Sequence, residues 1–234
     1  MNAMHRALVP HLLLFIIATA SAVAIGGAAT SPANPSPATQ PAPATSTVAR
    51  SGVETVVFFR HGEKPANGLG QLTPQGFNRA LAISTVLPGK FGKPDYLFAP
   101  DPGEKVSDRG GQYNYVRPLA TIEPMAIRLG MPVQTPCGFH DIDKLDDELS
   151  SDRYASAIVF VAWEHVYAQR AAKKLFGSFG GNASEVPGWG SRDYDSLYIV
   201  KITRTAGGPA TATFSIDHEG LDGQSTTMPS PATK

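Results

Sequence analysis

The stretch Val53–Pro65, VETVVFFRHGEKP, decides how the rest of the chain is read. Val53 to Phe59 is a short apolar run of β-branched and aromatic residues, the composition of a strand buried on both faces. It ends on Arg60-His61-Gly62-Glu63-Lys64, where polar and flexible residues crowd together. Such a run either closes in an ordinary charged turn or delivers a cation pair and an imidazole to a reaction site.

A second segment repeats the design. Ala155–Trp163 (ASAIVFVAW) is another continuous apolar strand, and it runs into Glu164-His165. Around these two, helix-like and strand-like segments alternate. Thr73 before Pro74 makes an N-cap and first-turn pair, and Phe77, Ala80, Leu81, Ser84 and Leu87 follow at helical spacing. Pro94–Pro100 and Met131–Thr135 read as short strands. Val116–Leu129 reads as a helix stopped by Gly130 and kinked or shortened by Pro124, and Val166–Phe176 as a helix ending at Gly177. Asp193–Thr203 and Thr211–Asp217 close the chain as a strand pair, whereas Pro100–Tyr115 and Thr135–Asp152 carry no readable element. This alternation predicts an α/β domain: a three-layer α/β/α sandwich around a mainly parallel central sheet. Ligands bind such sheets beyond the carboxyl ends of the strands, which is where both histidines fall.

The chain has 234 residues, 42% of them hydrophobic, enough for one good core. Its 20 basic and 20 acidic side chains balance, so no basic surplus points to nucleic acid. Arg6, the apolar run Leu12–Ala18 and the small residues Ala20-Ser21-Ala22 or Gly27-Ala28-Ala29 have the layout of a signal peptide over residues 1–29. Left uncleaved, the same segment would be an N-terminal anchor, the one expected membrane contact. Either way a periplasmic or secreted location is expected. The single cysteine, Cys137, allows no internal disulfide. Residues 30–50 are a Pro/Ala/Ser/Thr-rich linker, 51–220 the folded domain, and 221–234 a tail expected to be disordered.

The residues at the strand ends suit phosphoryl chemistry. A neutral imidazole is a competent nucleophile towards phosphorus. A phosphoryl group in transfer spreads charge over three oxygens, so its catalysis is positioning plus electrostatic stabilisation by fixed donors. Arginine offers a planar fork that stays protonated. A glycine after the histidine would let the backbone approach a ligand closely, and Lys64 would add positive potential. His140 beside Asp141 lacks the spaced partners of a metal site.

Three further segments follow in order: LTPQGFNRA (Leu72–Ala80), VRPLAT (Val116–Thr121) and His165 at the end of a later strand. With Arg60-His61-Gly62-Glu63 they make the chain resemble the histidine phosphatase superfamily, also called phosphoglycerate-mutase-like, from Val53 to Ile202. The resemblance implies that His61 is the nucleophile that becomes phosphorylated. Arg60 and Arg117 would clamp the phosphoryl oxygens, His165 would donate to the same oxygens, and Gly62 and Lys64 would line the substrate site. No metal or organic cofactor is implied.

A general acid is also implied, and here the chain departs from the familiar patterns. One branch places an acidic residue directly after the second histidine, where this chain has Val166. Another draws a glutamate from a loop, here Cys137–Asp152 (CGFHDIDKLDDELSSD). Glu164 is the first candidate and Asp141 or Asp143 the next, although strand alternation would turn Glu164 away from His165, and the acidic loop also reads as a plain solvated surface. The expectation is an exported hydrolase of small-molecule or glycan phosphomonoesters. The alternatives are a catalytically impaired phospho-ligand-binding protein of the same fold and an envelope interaction domain.

Overall fold

In β1 (Gly52–Arg60) the side chains of Val56, Val57, Phe58 and Phe59 are all wholly buried, as a strand covered on both faces requires. The computed structural model describes residues 51–230, so the expected leader (1–29) and linker (30–50) lie outside the described residues. After β1 come α1 (Pro74–Phe91), β2 (Tyr96–Phe98), β3 (Lys105–Asp108), β4 (Gly111–Asn114), α2 (Arg117–Leu129) and β5 (Val133–Gln134). They are followed by α3 (Ile142–Leu149), β6 (Ile158–Trp163), α4 (His165–Ser178), β7 (Ser196–Arg204) and β8 (Thr211–His218).

Six of these strands form one sheet in the order β5-β2-β6-β1-β7-β8. The pairs β5–β2, β2–β6 and β6–β1 are parallel, and β7 alone runs against its neighbours β1 and β8. Alternation along β1 builds the two interiors. Val57 and Phe59 pack with Ile83 and Leu87 of α1 and with Ile122 and Met125 of α2. Val56 and Phe58 pack with Leu145 and Leu149 of α3 and with Ala168, Ala172 and Leu175 of α4. The molecule is thus the expected three-layer α/β/α sandwich.

Three local expectations are corrected and one unread segment gains structure. Pro124 does not shorten α2: Ile122, Met125 and Ala126 are buried on both sides of it, and the helix runs on to the left-handed cap at Gly130. The stretch Pro100–Tyr115 contains the β3–β4 hairpin. The acidic segment holds α3, whose Leu145 and Leu149 bury one stripe while Asp143 and Lys144 face solvent. Finally, the chain after residue 220 is docked at its start. Leu221 is buried and its N–H donates to Asp195 Oδ1 at 2.7 Å, and Asn78 Nδ2 donates to the carbonyls of Ser225 and Thr227 at 2.8 Å each.

On the α3/α4 side, Glu54 is wholly buried, with Arg204 Nη1 2.5 Å from its Oε2. Burial raises its pKa from 4.5 to about 7 against the pull of Arg204. Folded protein therefore keeps a proton on Glu54 that the unfolded chain releases, and this group's contribution to stability falls as pH rises towards 7. Arg204→Met removes the partner and should cost about 3–5 kcal/mol at pH 8. The loss should shrink towards pH 5.5, where Glu54 is neutral. Urea unfolding at the two pH values checks this, and a pH-independent loss would contradict it.

Candidate active site

Parallel pairing places the two strand ends side by side. Arg60 is in register with Trp163, and the His61 N–H donates to the Trp163 carbonyl at 3.0 Å. The chain leaving β1 turns to α1 on one face of the sheet, and the chain leaving β6 enters α4 on the other. The crevice between them is a topological switch point, where open α/β sheets bind ligands.

The turn after His61 is held from several sides. Thr73 caps α1 by accepting from Gly76 N–H at 3.1 Å, while its own N–H and hydroxyl donate to the Glu63 carbonyl at 2.8 and 3.2 Å. Gly62 and Gly76 face each other so closely that a Cβ on Gly62 would meet the Gly76 carbonyl oxygen at 2.5 Å. Thr121 accepts from Gly62 N–H at 3.0 Å and donates to the Arg117 carbonyl at 2.8 Å, joining the α2 start to the histidine turn. Glu63 points away from the crevice into a fork with the buried Arg79, which also binds Glu219 at 2.6 Å and Asp222 at 3.2 Å. The segment LTPQGFNRA is therefore a clamp on the nucleophile turn. It does not itself line the cavity.

His61 is 2% exposed, and its Nδ1 lies 2.7 Å from the Gly62 carbonyl. A carbonyl only accepts, so Nδ1 carries the hydrogen and the Nε2 lone pair is free. Burial first, then the guanidinium groups of Arg117 and Arg60, hold the imidazole pKa well below 6.5. The result is a neutral imidazole between two buried cations. Arg60 donates through Nη1 to the carbonyls of Ser191 and Asp193 at 2.9 and 3.0 Å and lies over the Tyr194 ring at 3.7 Å. Arg117 lies over the Tyr115 ring at 4.8 Å. Arg60 Nε, Arg117 Nε and the Tyr115 hydroxyl are buried without a hydrogen-bond partner among the described residues. Together with His165, Lys64, Asp108, Phe139, Glu164 and Tyr167 they line a cavity of about 280 Å³. That volume suits a phosphoryl group with a small leaving group.

Of the residues read from sequence, Arg60, His61, Lys64, Arg117, Glu164 and His165 converge on this cavity. Gly62 does not serve as a ligand donor, because its N–H is taken by Thr121 and its missing side chain makes room for Gly76. Glu164 is unsuited to protonate a leaving group. It is the N-cap of α4, accepting from Val166 and Tyr167 N–H at 2.8 and 3.1 Å, and its Oε1 lies against His165 Nδ1 outside hydrogen-bond geometry. Burial pushes its pKa up, but the adjacent His165 and the two N–H groups outweigh that and hold it below the ordinary range. Asp141 and Asp143 border a separate depression with Lys174 and Arg170, and Asp143 pairs with Lys174 at 2.6 Å. Asp108, Tyr115 and Tyr194 were not legible as site residues. Tyr115 precedes the VRPLAT segment by one residue, the only local signal any of the three offered.

No protein-family model matches the chain, and no curated protein matches it. Solved structures similar to it include a protein of Nakamurella multipartitia assigned as phosphohistidine phosphatase SixA, with 16% identity over 72% of this chain and 97% of that one and a TM-score of 0.49. A mycobacterial glucosyl-3-phosphoglycerate phosphatase shares 13% identity over 69% and 95%, with a TM-score of 0.43. A Plasmodium falciparum phosphoglycerate mutase shares 10% over 78% and 97%, with a TM-score of 0.44. At such identities and scores these likenesses decide neither family nor activity, which rest on the chain's own residues.

The His61 geometry predicts its NMR signature. In 15N spectra His61 should show the Nδ1–H tautomer and remain neutral as pH falls below 6.5, the sign required by its lowered pKa. Protonation of His61 at pH 6 would contradict the environment described.

Proposed function

We propose that the protein is an exported phosphomonoester hydrolase of the histidine phosphatase type, working through a phosphohistidine on His61. The observation that carries this reading is the buried neutral imidazole with a free Nε2 lone pair, set beside two buried guanidinium groups whose Nε donors have no protein partner among the described residues. Buried donors without partners are costly unless a guest satisfies them. A tetrahedral dianion supplies acceptors in the right number and of the right charge. The ordered motifs of the sequence support the same assignment, since each has a mechanical role around His61.

His61 Nε2 would attack phosphorus while Arg60, Arg117 and His165 hold the equatorial oxygens. Water would then release phosphate. A small-molecule or glycan phosphomonoester fits a cavity of this size, and the segment from Arg6 to Ala29 supports export to the periplasm or beyond. The reading as a phospho-ligand-binding protein is favoured by one observation, that Glu164 is committed to capping α4.

Phosphate release from an activated aryl phosphate, measured with chelator present, separates the two. Turnover should persist with chelator and fall in His61→Ala by on the order of a thousandfold or more, as removal of a nucleophile does elsewhere. Folded wild-type protein that binds vanadate but releases no phosphate would establish the binding reading instead.

A further inference from the structure

The β3–β4 hairpin ends its first strand on Asp108, a 5% exposed carboxylate inside the cavity. Its Oδ2 lies 2.5 Å from Arg117 Nη1 and its Oδ1 3.0 Å from Lys64 Nζ. It is pressed from behind by Gly68, where a Cβ would meet the Asp108 carboxyl carbon at 2.2 Å. Asp108 and Glu164 are the acidic residues lining this cavity among the described residues, and Glu164 is occupied as a helix cap.

We propose that Asp108 acts twice: in the resting protein its carboxylate occupies the anion position between Arg117 and Lys64, and in the reaction its carboxyl group donates the proton to the departing oxygen. This rests on the phosphohydrolase reading. A phosphomonoester dianion claims Arg117 and Lys64, the two groups that hold the Asp108 pKa low against burial. Burial without them favours the protonated acid, so substrate binding charges Asp108 with its proton. His61 Nε2 then forms a bond to phosphorus as the P–O bond to the leaving group breaks. The electron pair of that bond goes to the leaving oxygen, which takes the Asp108 proton and departs as an alcohol. In the second step water attacks phosphorus, the P–N bond breaks with its electron pair returning to the imidazole, and Asp108 takes the proton from water. The products are alcohol and inorganic phosphate, with His61 neutral; as phosphate departs, Asp108 returns to solvent the proton it took up on substrate binding, and its carboxylate pairs again with Arg117 and Lys64.

The experiment compares wild type, Asp108→Asn and His61→Ala on a nitrophenyl phosphate and on an alkyl phosphomonoester, with inorganic phosphate as competitive inhibitor. Loss of a general acid should lower kcat on the alkyl ester by about 10²–10⁴-fold. On the nitrophenyl ester, whose leaving group needs little protonation, the loss should be below about tenfold. Inorganic phosphate should inhibit Asp108→Asn more tightly than wild type, because the internal competitor is gone. Equal losses on both esters with an unchanged phosphate inhibition constant would overturn the inference while leaving the hydrolase reading intact. Turnover that survives in His61→Ala, or none in wild type, would overturn the hydrolase reading and the proton-donor role with it. If Asp108→Asn does not fold, a leaving-group series on wild type answers the same question: a shallow dependence supports an acid in the site, and a steep one overturns it.

Discussion

Arg60 pairs with Trp163 in a parallel ladder between two strands that are buried on both faces, and the juxtaposition of Arg60 and His61 with His165 follows from that register. Two apolar strands lying side by side must end together at one edge of the sheet. A slip of one residue would exchange the two interiors, setting Val56 and Phe58 against α1 and α2 in place of Val57 and Phe59. The register therefore cannot drift, and His61 emerges beside Glu164-His165. Because the two chains leave toward opposite faces, a crevice opens between them.

That crevice concentrates charge where water is scarce. Arg60 and Arg117 flank the neutral His61, all at most 3% exposed, and burying the two guanidinium ions costs several kcal/mol each before compensation. Each guanidinium is compensated in part by an aromatic ring, Tyr194 or Tyr115, in an interaction of about 0.5–2 kcal/mol. Carbonyls of Ser191 and Asp193 take one side of Arg60, and Asp108 takes one side of Arg117. The Nε atoms left over mark where compensation stops and a ligand is expected. Behind the site, the buried Arg79 ties together the buried Glu219, the part-buried Glu63 and the exposed Asp222. Burial pushes Glu219 up to about 8 against the pull of Arg79.

The parts of this architecture that were legible in sequence are those enforced by local pattern. Continuous apolar strands, the Thr73-Pro74 start of α1 and the glycine stop of α2 each state their own structure. The site residues at the strand ends were legible for the same reason, whereas Arg117 at the α2 start was assigned only through the resemblance carried by the ordered motifs. Pro124 misled because local propensity was outweighed by the burial of Ile122, Met125 and Ala126 around it. Glu164 misled because adjacency to His165 says nothing about which hydrogen bonds a carboxylate will satisfy first. A helix start offers orphan N–H groups, and Glu164 takes two of them. Asp108 was hidden because it reaches the cavity from a hairpin, and Tyr194 because it meets Arg60 from a loop; both positions depend on tertiary packing, not on any local period. The docking of Leu221 and Asp222 depends on Asp195 and Arg79, far away in sequence, and so left no trace in the composition of the tail.

In the proposed reaction His61 carries the phosphoryl group. Acid-free quenching of the wild-type protein during turnover of a phosphomonoester, followed by peptide mass spectrometry, tests it most directly. The expected result is a phosphoryl adduct that is stable to base, lost in acid, and located on the imidazole of His61. Steady turnover with no adduct at any quench time, or an adduct on another residue, would contradict it.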